Sequence, residues 1–577
     1  MTAVKVKDLR FTYKGGKKPA LNGISLKIEK GEFFAILGPN GAGKTTLALC
    51  LIGVIPHYIE GEYDGEVVVN GLRILEHSIQ EVATRLGLIL QDPESQIIGI
   101  TVKDDVAFGP CNLGLSRDEV LQRVKYSLGV VRLNGYEERE TYRLSGGEKQ
   151  RVAIASVLAL KPDILVADEP TSELDPIGKR EVFDTLLKLR NEEGKTIIMI
   201  THEVDWAVKC ADRIGILYDG RFVSVGEPRE VIRELGEEGL RRYGVRVPQA
   251  SQLYFRLERY LDGNKSPWIT VEEAFSALKE LLGKKRGLKE IMARGRELVK
   301  STGEPVIIVE DLWHIYPGGI EALRGINMHV YRGEHLAIIG QNGSGKTTLV
   351  KHFNGLLKPT KGRVLVFGID TRNVSVSELS KKVGYVFQNP DHQIFAPSIL
   401  EEVAFGLRNL KLPEEEVRKR VSWALNFVGL EGREEEHPFK LSKAERQMLA
   451  VASILSMKPD VIIVDEPTTG QDWMGVNKIM NMLDELKRMG HTIITITHDM
   501  RAVAEHADRV IVLQRGRILH EGSPREVFSK PEILMQTYLE PPPITLLAKS
   551  LSDSGVPVLK DVLTIEEAAD SLGELLR

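Results

Sequence analysis

Cysteine is scarce in this chain. Its three copies in 577 residues (Cys50, Cys111 and Cys210) stand in no spacing that pairs or holds a metal. That excludes a disulfide framework and a thiolate metal centre, and it fits a reducing compartment. No run approaches about 18 apolar residues, so no membrane-spanning helix is expected, and the N-terminus has no signal-peptide pattern. Neither sign of charge dominates. With 77 Lys and Arg against 81 Asp and Glu, the formal net charge is −4. No global basic field recruits nucleic acid, so no nucleic-acid partner is expected.

What the chain does have is a phosphate-cradling motif, written twice. Gly38-Pro-Asn-Gly-Ala-Gly-Lys44-Thr45 and Gly340-Gln-Asn-Gly-Ser-Gly-Lys346-Thr347 share one layout. Each follows a short apolar run that reads as a strand, Phe33–Leu37 and Leu336–Ile339, and each leads into a helical segment. Glycines let successive backbone N–H groups converge on phosphate oxygens, and the helix N-terminus adds positive dipole. The lysine supplies a point charge near the β- and γ-phosphates, and the threonine hydroxyl can ligate Mg²⁺. Two such loops imply two bound nucleoside triphosphates.

The whole sequence repeats around these loops. Lys44 recurs as Lys346, Gln91 as Gln388, Glu169 as Glu466 and His202 as His498, at offsets of 296 to 302 residues. The ends repeat too: Ile269-Thr-Val-Glu-Glu-Ala274 echoes Leu563-Thr-Ile-Glu-Glu-Ala568. Thr270 with Glu273, and Thr564 with Glu567, have capping-box spacing and start a short helix in each copy. Support of the fold is the expected role of these tails. Within each copy, short apolar strands alternate with amphipathic helices, as in Ile164–Ala167, a helix near Pro176–Arg190, and Thr196–Ile200. That pattern indicates an α/β fold with a largely parallel sheet. The stretch Gly283–Gly303, with Lys284-Lys-Arg286, reads as a linker carrying some helix. The expected limits are 1–240 and 304–540 for two nucleotide-binding domains. Residues 241–303 are the first copy's extension with the linker, and 541–577 the second's extension.

Between the loops and the ends, copy one carries Gln91-Asp-Pro93, Leu144-Ser-Gly-Gly-Glu-Lys-Gln-Arg151, Ile164-Leu-Val-Ala-Asp168-Glu169-Pro, Ser172-Glu-Leu-Asp175 and Ile200-Thr-His202. In that order and spacing these resemble the ATP-binding cassette family, over nearly the entire chain, twice. The Leu-Ser-Gly-Gly-Glu string is the most specific part, since other P-loop ATPases lack it. The resemblance implies tandem P-loop domains, each with a mostly parallel sheet core, an antiparallel β part, a helical signature subdomain and a short C-terminal extension.

It also implies roles. ATP would contact Tyr13, Gly38, Asn40, Gly41, Gly43, Lys44, Thr45, Thr46, Gln91, Ser145, Gly146 and Gly147. In the second copy the contacts would be Tyr316, Gly340, Asn342, Gly343, Gly345, Lys346, Thr347, Thr348, Gln388 and Ser442. Tyr13 and Tyr316 would stack on adenine. Asp168 and Asp465, each ending an apolar strand, would hold Mg²⁺ with Thr45, Thr347, Gln91 and Gln388. Phosphoryl transfer to water is largely a matter of placing charge and one water molecule. Glu169 and Glu466 would polarise that water as general bases, and His202 and His498 would contact the γ-phosphate.

Family cassettes pair head to tail, so each nucleotide lies between one copy's phosphate loop and the other's signature. Pairing of the two copies within the chain would then give unequal sites. Lys346, Asp465, Glu466 and His498 would meet Ser145, Gly146 and Gly147. Lys44, Asp168, Glu169 and His202 would meet Leu441-Ser442-Lys443-Ala444-Glu445, where both glycines are gone. The expected loss there is freedom for positive φ and close backbone approach, giving a weaker but working site. Thr469-Gly-Gln-Asp472 also replaces the family's usual Ser-x-Leu-Asp.

The kind of cassette protein is read from smaller features. Only about a hundred residues separate Lys44 from Ser145, too few for an inserted coiled coil. Zinc-finger and iron–sulfur cysteines are missing. Gln91-Asp-Pro-Glu-Ser-Gln96-Ile-Ile98 and Gln388-Asn-Pro-Asp-His-Gln393-Ile-Phe395 resemble the ATPase subunits of energy-coupling-factor importers, which take up vitamins and transition-metal ions. That resemblance implies integral membrane subunits docking near Gln91–Ile98 and Gln388–Phe395, with the chain peripheral on the cytoplasmic face. Ile97, Ile98, Ile394 and Phe395 would be apolar contacts, and Glu94 and Asp391 would pair with basic residues of a docked helix. Two alternatives stay open: a tandem sugar-importer ATPase, and a soluble cassette ATPase acting on ribosomes or nucleic acid.

Overall fold

The computed structural model describes residues 1–172, 174–261, 266–283, 303–558 and 561–577. Two compact units result, the first built on Met1–Ala274 and the second on most of the remainder. The expected linker at 284–302 lies outside the described residues, as does Glu173 of the Ser172–Asp175 loop.

Each unit has a six-stranded sheet of the same order. In the first it runs Arg221–Gly226, Arg213–Tyr218, Phe33–Leu37, Thr196–Ile200, Ile164–Asp168, Leu86–Ile89. All neighbours are parallel except the outermost Arg213–Tyr218 and Arg221–Gly226 hairpin. The second unit repeats this with His335–Ile339 at the same place as Phe33–Leu37. The strands Phe33–Leu37, Ile164–Asp168 and Thr196–Ile200 are buried at every residue, so they read as continuous apolar runs. A four-stranded antiparallel sheet begins each unit. Along Thr2–Tyr13 its inward side chains Val4, Val6, Leu9 and Phe11 pack on the central sheet's Phe34 and Ile36.

Helices cover the other face for local reasons. Helix Pro176–Glu193 begins where Asp175 accepts the Gly178 N–H at 2.9 Å, has proline in its first turn, and stops at left-handed Gly194. Its Val182, Phe183, Leu186 and Leu189 recur at helical spacing and pack on Ile197 and Met199. The helical subdomain packs into the same cluster through Val102, Val106, Val124 and Leu128.

The tails form helices Val271–Gly283 and Ile565–Leu576. Their starts differ from the expected capping box in one respect. Thr270 and Thr564 accept the Glu273 and Glu567 N–H groups, but each glutamate takes an N–H one residue earlier, from Ile269 and Leu563. The remaining carboxylate oxygen is turned to an arginine. Arg229 meets Glu273 at 2.6 Å and donates to the Pro267 carbonyl, while Arg525 meets Glu567 at 2.6 Å and donates to Asp561. The tails are thus tied to their cassettes by one repeated clamp.

Candidate nucleotide sites

The phosphate loops leave the C-terminal ends of the central strands and enter helices Lys44–Ile52 and Lys346–Phe353. Glycine is required at both ends of each loop. Gly38 and Gly340 have φ of 147° and 152°, and a Cβ there would lie 2.1 and 2.3 Å from the Leu217 and Leu513 carbonyl oxygens. Gly43 and Gly345, with φ near 100°, hold the left-handed turn into the helix. The Lys44 ammonium donates to the Gly38 and Pro39 carbonyls at 2.8 and 3.0 Å, and Lys346 repeats this on Gly340 and Gln341. Burial pulls the Lys44 pKa down, opposed by the carboxylates of Glu169 and Asp168.

Beside each lysine sit the two acids and the histidine named from sequence. Glu169 and Glu466 have φ of 49° and 48°, an uncommon conformation for a residue with a side chain. The neighbouring strand holds it, since their N–H groups donate to Ile200 and Ile496 at 2.9 and 2.8 Å. The turn delivers each glutamate to its histidine. His202 Nε2 is 2.7 Å from Glu169, and His498 Nδ1 is 2.9 Å from Glu466. His202 also meets Asn40 Oδ1 at 3.0 Å, joining the histidine to the phosphate loop.

Asp168 and Asp465 are buried. Desolvation pushes Asp168 up to about 6, against hydrogen bonding from Thr45 and the Lys44 charge. Asp465 is also raised by burial, against hydrogen bonds from Tyr385 and Thr347. Each keeps one buried carboxylate oxygen, Oδ1, with no hydrogen-bond partner. An orphaned anionic oxygen beside a threonine hydroxyl suits a hard divalent cation.

Tyr13 and Tyr316 sit at the ends of their strands. Their hydroxyls lie 3.0 and 3.2 Å from Thr46 and Thr348, so each ring stands over the start of the phosphate-loop helix. Gln91 lies within 3.5 Å of Ser172, whereas Gln388 is exposed. Among the described residues, neither glutamine hydrogen-bonds to Asp168 or Asp465.

The signature motifs correct one expectation. Ser145 and Ser442 both cap a helix, Gly146–Leu158 and Lys443–Leu455, and both form full capping boxes with Glu148 and Glu445. Neither Gly146 nor Gly147 takes a positive φ, and a Cβ on Gly146 would meet nothing within 4 Å. Lys443 and Ala444 therefore cost no backbone conformation. They change only what stands in front of the helix N-terminus.

The segments after Gln91 and Gln388 are corrected too. Ile98 and Phe395 are each 62% exposed, but Ile394 is buried and Ile97 packs against the core. Glu94 is paired with Lys149, and Asp391 with Arg446 at 2.6 Å, so each acid already has a basic partner within its own cassette. The second glutamines are braces. Gln96 accepts the Leu90 N–H at 3.0 Å and Gln393 accepts that of Phe387 at 3.2 Å, pinning each loop to its strand end. Buried acids do the rest. Asp105 accepts the Ile98 and Gly99 N–H groups, and Glu402 those of Phe395 and Ala396, at 2.8 to 3.0 Å. Sequence reading missed these acids, although each stands at the same helical position, seven residues past the exposed apolar side chain. It also missed Tyr385, whose hydroxyl donates to Asp465 at 2.8 Å.

Two phosphate loops, each with a buried aspartate, a glutamate on a strained turn and a histidine bonded to it, define a pair of P-loop nucleoside triphosphatase cassettes. Comparison with known proteins agrees. The model of the ABC transporter family matches residues 21–172 and 323–469. A protein of Caldanaerobacter subterraneus described as an ABC transporter ATP-binding protein is 46% identical over 565 residues, covering 97% of each chain. One from Methanosarcina mazei, described likewise, is 40% identical over 574 residues, covering 98% of this chain and 96% of that one. A solved structure of cbiO1 from Clostridium perfringens, part of the ABC transporter complex cbiONQ, is 42% identical and covers 40% of this chain and 94% of that one, with a TM-score of 0.37. The chain belongs to the ABC transporter ATP-binding family and is an ATPase. Among the described residues, no helix is long and apolar enough to cross a membrane.

Proposed function

We propose that this protein is the ATP-hydrolysing energy-coupling subunit of a membrane importer of the energy-coupling-factor kind, carrying a vitamin or a transition-metal ion. The supporting observation is the repeated loop after Gln91 and Gln388. In both cassettes a second glutamine and a buried acid stiffen it, and it ends in an exposed apolar side chain, Ile98 or Phe395. Phe395 lies edge-on to exposed Phe405, and Ile98 is near exposed Ile100 in sequence. A rigid loop with an apolar tip suits a short helix of an integral membrane subunit. On this reading the chain is peripheral on the cytoplasmic face of the membrane. The domain limits remain 1–240 and 304–540, with extensions 241–303 and 541–577.

Chemically, Lys44 and Lys346 hold the β- and γ-phosphates, Tyr13 and Tyr316 offer their rings to adenine, and Glu169 and Glu466 orient and deprotonate the attacking water. His202 and His498 donate toward the γ-phosphate and keep the glutamates in place. Mg²⁺, when bound, neutralises developing charge on the phosphates, and Asp168 with Thr45 and Asp465 with Thr347 are the residues to hold it. If the cassettes pair head to tail, as those of the family do, the first cassette's nucleotide would meet the Ser442-Lys443-Ala444 signature. There the added side chains of Lys443 and Ala444 stand before the helix N-terminus, and that site would be the slower. The test is isolation of the tagged protein from detergent-solubilised membranes. Stoichiometric integral membrane proteins should come with it, lost when Ile98 and Phe395 are both replaced by Asp. Recovery with ribosomes, or always alone, sinks the assignment.

A further inference from the structure

The two aspartates at the strand ends are not held alike. In the second cassette the Asp465 Oδ2 accepts two hydrogen bonds, from Thr347 Oγ1 at 2.9 Å and from the Tyr385 hydroxyl at 2.8 Å. Its Oδ1 stays buried and unpartnered. Tyr385 lies on strand Val383–Val386, in register with Ile463, and Asp465 is two residues beyond Ile463 on the same face of the sheet. An aromatic side chain spans that diagonal, where an aliphatic one has nothing to donate. Tyr385 is 6% exposed, and its ring is fixed edge-on by Phe387, 5.0 Å between centroids. In the first cassette the same register position, opposite Val166, is Leu88. Asp168 has the Thr45 hydroxyl beside it and no phenol.

We propose that Tyr385 is a positioning residue that locks the Asp465 carboxylate with Oδ1 free for the divalent cation of bound ATP, so that the second cassette holds its cation more tightly than the first. This rests on the assignment of Asp465 as a metal-holding residue. A carboxylate pinned through one oxygen by two donors loses little rotational freedom when the other oxygen takes a cation. One steadied by a threonine alone must be ordered at that moment, because that threonine is itself to face the cation. Partners behind a metal-holding group are typically worth about 10- to 100-fold in metal affinity.

The experiment uses the full chain with Lys44→Ala, which leaves nucleotide binding to the second cassette. Free Mn²⁺ is followed by its electron paramagnetic resonance signal in the presence of a non-hydrolysable ATP analogue. Binding of a fluorescent ATP derivative in EDTA is measured alongside. Tyr385→Phe keeps the packed ring and removes only the hydroxyl, and Tyr385→Leu copies the first cassette. Both should weaken Mn²⁺ by about tenfold while leaving metal-free nucleotide affinity within about twofold. Unchanged Mn²⁺ affinity in Tyr385→Phe overturns the proposal. So does a parallel loss of metal-free nucleotide, which marks a merely structural tyrosine. If the Lys44→Ala parent takes up no Mn²⁺ with nucleotide, the metal assignment itself falls.

Discussion

Lowering the pH from 7 to 5 acts on two histidines that only the second cassette contains. His335 stands in its central strand, with Nε2 3.1 Å from Thr495 Oγ1 and Nδ1 buried without a partner. His352 lies on the phosphate-loop helix; its Nδ1 donates to the Thr348 carbonyl at 2.8 Å and its Nε2 faces His314 Nδ1 at 3.2 Å. Burial lowers both to about 4 from an ordinary value of 6.5. Above pH 6.5 folded and unfolded forms are both neutral, and nothing is lost. Between 6.5 and 4 the unfolded chain takes up protons that the folded chain refuses, so stability falls as pH falls. At pH 5 the loss is about 2 kcal/mol for each histidine, or about 4 kcal/mol together. The matching residues of the first cassette are Phe33 and Cys50, and burial pushes that thiol up to about 12, outside the window. Asp168 and Asp465 work the other way, because their raised pKa values relieve a penalty as pH drops, but they do so in both cassettes. The assay is urea unfolding of the full chain at pH 7 and pH 5, beside a His335→Phe, His352→Cys variant that copies the first cassette. The parent should lose about 4 kcal/mol more than the variant between the two pH values. Equal pH dependence in the two proteins refutes the reasoning, whatever their absolute stabilities.

Two other outcomes follow from the geometry. If the cassettes pair head to tail as proposed, Glu466→Gln should abolish most steady-state ATP turnover and Glu169→Gln should remove a smaller share; equal losses would end that ranking. Arg525→Ala leaves Glu567 partly buried beside the lost guanidinium and should cost about 2 kcal/mol. Arg229→Ala, whose partner is more exposed, should cost about 1 kcal/mol or less, both read from denaturant midpoints.

The motifs were legible because phosphate binding constrains consecutive residues. A loop that must wrap an anion needs glycine at Gly38 and Gly43, and no distant contact substitutes for that freedom. The acids and histidines were legible for a related reason: each follows an apolar strand directly, so its place at the sheet's C-terminal end is fixed by the strand. The role of the second glutamines was not legible: Gln96 and Gln393 bond to backbone near their own strand ends, and only the folded loop shows which way a side chain turns. The ion pairs of Glu94 and Asp391 were not legible either, because their partners Lys149 and Arg446 lie some 55 residues away on another helix.

The sequence by itself determined the family, the doubling of the cassette and the α/β alternation. All of these are written in local order and short spacing. Tertiary structure alone decided that Gly146 and Gly147 are ordinary helical residues, that Glu169 is held in a strained turn against His202, and that Tyr385 reaches Asp465 where Leu88 cannot reach Asp168. Those facts depend on which strands lie side by side and in what register, and a linear chain does not carry that information at any single position.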